Sequence, residues 1–243
     1  MKKILSILCL SVLMLSTGLV FSQNTIETHE ITASVPELVA FHTIIAPMWH
    51  KAYPSKDMNA LKALVPQIKE NMAKMNSAKL PGILREKAAA WKNELEKFNL
   101  VADNYYAAAS GNDDAALLLA AEKLHSAYEA MNRVVRPFNK EMDEYHKTLY
   151  VIYHKHLPEK NFDAISTMME NLILQADAVT KHPEDKLIKR LKDKTPKYYT
   201  LSKDLYTATV SVKEALSGKD ASKKEAAIEK MHTTYQKLES VFE

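Results

Sequence analysis

From about residue 35 to the end, apolar side chains recur every three or four positions, the spacing of one face of an α-helix. Leu38, His42, Ile45, Trp49 and Ala52 make the first stripe, behind a Pro36-Glu37 pair suited to a first helical turn. Tyr53-Pro54-Ser55 ends it. A second helix is predicted from about Asp57 to Asn76, with Leu61, Leu64, Ile68, Met72 and Met75 inward. Lys79-Leu80-Pro81-Gly82 breaks it. A third runs from about Ile83 to Ser110 through Leu84, Ala88, Trp91, Leu95 and Phe98. Gly111-Asn112-Asp113 stops it and opens a fourth, which carries Leu117, Ala121, Leu124, Tyr128, Met131 and Val135 up to Arg136-Pro137.

The pattern then starts again. Phe41-His42 and Trp49-His50-Lys51, followed by Pro54 and Lys56, match Tyr145-His146 and Tyr153-His154-Lys155, followed by Pro158 and Lys160, at an offset of 104 residues. Glu122-Lys123-Leu124-His125 with Tyr128 matches Glu229-Lys230-Met231-His232 with Tyr235, at an offset of 107. Because the offset barely changes, helix order is preserved, and the pattern reads as a tandem duplication of residues 35–137 and 138–243. The predicted fold is all-α: two tandem antiparallel four-helix bundle units. In an alternative packing the fourth helix continues unbroken through Pro137, so that the bundles share one long central helix. No Gly- or Ser-rich linker separates the units, which favours close coupling. His182-Pro183 and Thr195-Pro196 punctuate the second unit, and the latter is expected to kink its third helix.

Composition agrees with helix. Only 4 glycines occur among 243 residues, and 47% of the chain is hydrophobic, enough for a substantial core. The first 22 residues differ in kind. Lys2 and Lys3 precede an uncharged apolar stretch, Ile4 to Val20, and Val20-Phe21-Ser22 suits cleavage before Gln23. This reads as a secretory signal peptide followed by an N-terminal extension over 23–34, and it predicts a periplasmic or secreted protein. Its removal takes away Cys9, the only cysteine, and with it any thiolate ligand or thiol nucleophile. The formal charge of +3 falls to +1 with the loss of Lys2 and Lys3, a balance with no electrostatic signature for nucleic acid. No second apolar run is long enough for a transmembrane span in the mature chain.

The candidate chemistry lies in the histidines. Of nine, six fall into repeat-matched pairs: His42/His146, His50/His154 and His125/His232. His42 and His50 are eight residues apart, about 80° round and ~12 Å along one helix, so they do not easily share an ion. Glu122 and His125, and likewise Glu229 and His232, stand one turn apart on one helical face. First and fourth helices are neighbours in an up-down bundle. A transition-metal site is therefore predicted per unit: His42 or His50 with Glu122 and His125, and His146 or His154 with Glu229 and His232. Such ligands suit Zn or Cu. The plain alternative is that these are boundary histidines hydrogen-bonded to neighbouring groups. A di-iron carboxylate bundle needs two Glu-x-x-His motifs and two further glutamates, and each unit offers one motif. A haem bundle needs axial histidine or methionine across an apolar pocket, which His42 or Met48 facing His125 would have to supply.

Other signatures are absent: no glycine-rich phosphate loop, no Gly-x-Ser-x-Gly and no His-Glu-x-x-His. The lysine-rich run from Lys186 to Lys197, diluted by Asp185 and Asp193, reads as a solvated face, with an acidic partner or anionic membrane surface as the alternative. The expected function is a non-catalytic periplasmic protein binding a transition metal at one site per bundle. The alternatives are a metal-free helical module that binds a protein or envelope partner, and a haem-binding bundle.

Overall fold

Each break in the apolar pattern becomes a helix boundary, and the boundaries have visible causes. The computed structural model describes residues 28–242; 85% of these are helical, with no strand among them. The expected signal peptide over residues 1–22, and residues 23–27 of the expected extension, lie outside the described residues. No helix among the described residues is long and apolar enough to cross a membrane. The first half contains α1 (Pro36–Pro47), α2 (Met58–Ala63), α3 (Val65–Ser77), α4 (Ala88–Ser110) and α5 (Asp114–Val135). The second contains α6 (Lys140–Val151), α7 (Phe162–Thr180), α8 (Glu184–Leu191), α9 (Thr195–Ser217) and α10 (Ala221–Glu239). Asp57, Asp113, Asn139, Asn161 and Asp220 each accept a backbone N–H of the helix they open. Such caps contribute typically ~1 kcal/mol each.

Several features recur at the offset of 104. Both α1 and α6 widen into a π-turn, Met48–Ala52 and Ile152–His156, just before a proline. Pro54 and Pro158 have no N–H with which to continue the helix. The chain then reverses through Lys56 and Lys160, whose φ angles of 51° and 53° lie in the left-handed region. The halves also differ. Pro66 in the first turn of α3 separates it from α2, whereas α7, which contains no proline, runs unbroken.

Three sequence expectations are corrected. The helix ending at Val135 does not continue into α6. Arg136 is extended (φ −66°, ψ 132°), as a residue before proline prefers, and Asn139 caps a new helix, so no long central helix is shared. Thr195-Pro196 opens α9 rather than kinking it; proline fits the first turn, where its missing N–H has no partner to lose. The inward stripe of α1 is Leu38, Phe41, Ile45, Met48 and Ala52, not the series through His42 and Trp49. Phe41 and Met48 offer more apolar area for the core, and His42 is left exposed.

Two cores result. Phe41, Phe98, Tyr105, Leu124 and Tyr128 lie in the first; Tyr145, Tyr198, Leu205 and Tyr235 lie in the second. The buried tyrosines keep their hydroxyls satisfied: Tyr105 donates to the Leu61 carbonyl at 2.7 Å, and Tyr198 to that of Val179 at 3.0 Å. Tyr150, on α6, packs into the first core and so ties the halves together. Its hydroxyl accepts from Arg85 Nη2 at 2.7 Å and donates to Glu30 Oε2 at 3.3 Å. The same Glu30 oxygen accepts the Gly82 N–H at 2.9 Å. A Cβ at Gly82 would stand 1.9 Å from the Tyr150 hydroxyl and 2.2 Å from Glu30 Oε2. Gly82→Ala is therefore expected to displace both groups and cost about 1–3 kcal/mol, the range for overpacking. Gly111→Ala, where the nearest atom is an ordinary 3.5 Å away, should cost less. Denaturant unfolding of both variants tests this, and equal midpoints would contradict it.

Candidate functional site

The second-unit histidines meet where the halves join. His232, on α10, is buried, and its ring stacks on Tyr153 of the π-turn, centroids 3.7 Å apart and 6° from parallel. His154, in the same π-turn, meets His232 edge-on at 6.0 Å. His146, on α6, stacks on Tyr235 at 4.7 Å. Over them lies a 3-10 turn of the first half, Gly82–Lys87. Arg85 Nη1 is 3.0 Å from His154 Nδ1, which must accept because a guanidinium only donates. Glu86 Oε1 lies 3.4 Å from His232 Nε2 and accepts from Gln236 Nε2 at 2.8 Å. Glu229 is not part of this cluster; its Oε2 accepts the Tyr153 hydroxyl at 2.6 Å.

The electrostatics follow from this packing. The hydrogen bond with His232 holds the Glu86 carboxyl down at about 2, against the effect of burial and with help from Gln236. Burial, reinforced by the Lys87, His232 and His154 charges and opposed by Glu86, pushes the His146 imidazole down to about 4. Burial and the Arg85 charge bring His154 to about 4 as well. Bonding to Glu229, together with burial, pushes the Tyr153 hydroxyl up to about 12.

The matching face of the first unit is open. Trp49 stacks on His125, centroids 4.1 Å apart and 9° from parallel, and also on Tyr53 at 4.5 Å. His125 and Trp49 are half-buried, while His42, His50, Glu122 and Glu129 are exposed. Burial lowers the His125 pKa; Glu129 raises it and His50 lowers it, which places both within electrostatic reach. Glu122 stands on the solvent side of α5 and does not join His125. Of the groups that a haem would need opposite His125, His42 is exposed and Met48 is buried in the first core.

The structure brings His154 and His232 together and leaves His50 within electrostatic reach of His125, while Glu229 bonds to Tyr153 and Glu122 faces solvent. No group of three or more His, Cys, Asp or Glu side chains suited to a metal ion occurs among the described residues. The residues that complete the second-unit cluster, Arg85, Glu86 and Tyr150, carry no motif. Their trace in the sequence lies where the repeats differ: Tyr150 and Gln236 stand where the first unit has Ala46 and Glu129. His182, which has no repeat partner, is itself structural, bonded through Nδ1 to Glu141 Oε2 at 2.8 Å. No protein-family model, curated protein or solved structure matches the chain.

The partly desolvated imidazoles of His146 and His154 set a pH dependence. A histidine whose folded pKa is below its unfolded value of ~6.5 stabilises the fold fully above 6.5 and loses that contribution as pH falls toward the folded pKa. For His146 the window is about 6.5 to 4, worth roughly 3 kcal/mol at its acid end, and His154 acts in the same direction. Glu86 adds a loss of the same sign between about 4.5 and 2. Unfolding free energy should fall steadily from pH 7 to pH 4, with a visibly shallower slope in His146→Asn. A flat profile over that range, or an unchanged slope in the variant, would refute the buried-neutral assignment.

Proposed function

We propose that this chain is an exported, non-catalytic binding module built by duplication of a four-helix unit, and that it binds a protein or envelope partner through the open face of the first unit. The observation that carries the reading is an asymmetry. The Tyr153–His232 stack is covered by a turn of the same chain, while the equivalent Trp49–His125 stack has exposed His50 and Glu129 around it. Half-buried aromatic surface beside titratable groups is the usual composition of a recognition patch. The differences between the faces suggest what the partner presents. Glu129 in place of Gln236 disfavours a carboxylate like that of Glu86 and favours a cationic side chain. Ala46 in place of Tyr150 leaves room for an apolar group. The export reading rests on the Lys2-Lys3 start, the apolar stretch that follows and the small residue at Ser22.

Weak binding of Zn(II) or Cu(II) is the second reading, supported by His50 standing within electrostatic reach of His125. Both would ligate as neutral imidazoles, and the remaining donors would be water or partner groups.

One set of variants separates the two. A photo-crosslinking residue at position 50 should give a discrete adduct in envelope extracts of the expressing cell, lost in Trp49→Ala, while the same probe at Lys219 should give none. Absence of an adduct at position 50, or its persistence in Trp49→Ala, would sink the partner reading. If added Zn(II) or Cu(II) instead raises the melting temperature at pH 7.5, and His125→Ala removes that shift, the metal reading takes its place. Binding to the folded form alone contributes about 2.7 kcal/mol at a free-ion concentration 100 times Kd.

A further inference from the structure

A separate cleft lies at the junction of the halves, and its chemistry is one-sided. It encloses about 640 Å³, within the range of small-molecule sites. Its walls bring together Lys87, Arg133, Arg136 and Arg190, and no carboxylate lines it among the described residues. Two stacked phenylalanine rings contribute the apolar surface: Phe138 of the inter-unit connection and Phe242 near the C-terminus, centroids 4.5 Å apart and 19° from parallel. Arg190 is held on both rings, its guanidinium carbon 5.5 Å from one centroid and 5.0 Å from the other, and Nη1 donates to the Phe138 carbonyl at 2.6 Å. Lys87 Nζ lies 4.4 Å from the Phe138 centroid.

We infer that this cleft is a binding site for an organic anion with an apolar body, its carboxylate or phosphate held by Arg133, Arg136 and Arg190 and its body laid on the Phe138–Phe242 pair. The ordinary fate of surface lysines and arginines is to stand apart in solvent. Here four of them converge from three separated parts of the chain on one concave surface. Arg190 is partly desolvated there and lies close enough to Arg136 for like-charge repulsion to ease its proton loss. An anion between them relieves that repulsion, and a guanidinium offers the planar, two-pronged donor that carboxylate and phosphate accept. The stacked rings explain why the ligand should be an amphiphile rather than an inorganic ion. The site is not a product of the repeat: Ser240 stands where the offset of 107 would place a partner for Arg133. It is also independent of the first-unit face.

The test uses the mature chain with 8-anilinonaphthalene-1-sulfonate as a fluorescent probe. Saturable binding of one probe per chain is expected, displaced by laurate below its micelle concentration and not by equal inorganic phosphate. Arg133→Gln with Arg136→Gln should weaken laurate at least tenfold. Both residues are exposed, so circular dichroism and the melting temperature should be unchanged. The charge-matched control Lys219→Gln with Lys223→Gln, on exposed positions outside the cleft, should bind like the parent. Co-sedimentation with phosphatidylglycerol vesicles, lost in the arginine double variant while free laurate does not bind, would place the anion on a membrane lipid; laurate binding without vesicle binding would place it in solution. No saturable displacement and no vesicle binding, or binding equal in the arginine and lysine double variants, overturns the site.

Discussion

The rest of the arrangement depends on the seating of one short turn, Gly82–Lys87, on the second unit's histidine face. Each half can bury its own apolar stripes, but neither core by itself fixes where the other half lies. The turn does so with complementary polar contacts in a place water only partly reaches. Arg85 meets the lone pair of His154 and the Tyr150 hydroxyl, and Glu86 meets His232 and Gln236, while the Gly82 N–H meets Glu30 within its own half. Glycine is needed because the Tyr150 hydroxyl and the Glu30 carboxylate already occupy the space of a Cβ. His154 holds its place as an acceptor from Arg85, His232 as a donor to Glu86, and His146 as a ring surface against Tyr235. Protonation would set His146 and His154 against Arg85 and Lys87, so the junction is built for neutral pH.

The two halves therefore keep the same aromatic–imidazole stack and put it to different ends. Trp49 on His125 and Tyr153 on His232 have nearly the same geometry. One has become the socket for an internal turn, and the other faces outward. Core packing accounts for the half-buried His125 on Trp49 but not for the exposed His50 beside it, and that favours recognition over a purely structural role. A histidine face that accepts an arginine- and glutamate-bearing turn in one half is a reasonable surface for a partner's turn in the other, with Glu129 shifting the preference toward cations.

Much of the fold was legible because it rests on local rules. Helix existence followed from periodicity, and starts followed from Asp57 and Asp113. The phase of α1 was misread because a stripe through His42 and Trp49 and one through Phe41 and Met48 differ by a single residue, and spacing alone does not choose between them. Burial chose the side chains with more apolar area. The imidazole pairs were legible because the repeat doubled the signal. Their surroundings were not: Arg85 and Glu86 reach the cluster from a segment about 70 residues or more away in sequence, and no helical spacing encodes that approach. The same holds for the basic cleft, whose walls come from positions 87 to 242.

The claim that the matched histidines have divided into an internal socket and an outward face can be read directly from their reactivity. Limited carbethoxylation of the native protein with diethyl pyrocarbonate at pH 7, followed by peptide mass spectrometry, ranks the histidines by access to neutral imidazole. The account predicts that His42, His50 and His125 react early, and that His146, His154 and His232 react only as the protein unfolds. Reaction of His232 and His154 at the rate of His125 and His50 in the folded protein would contradict it.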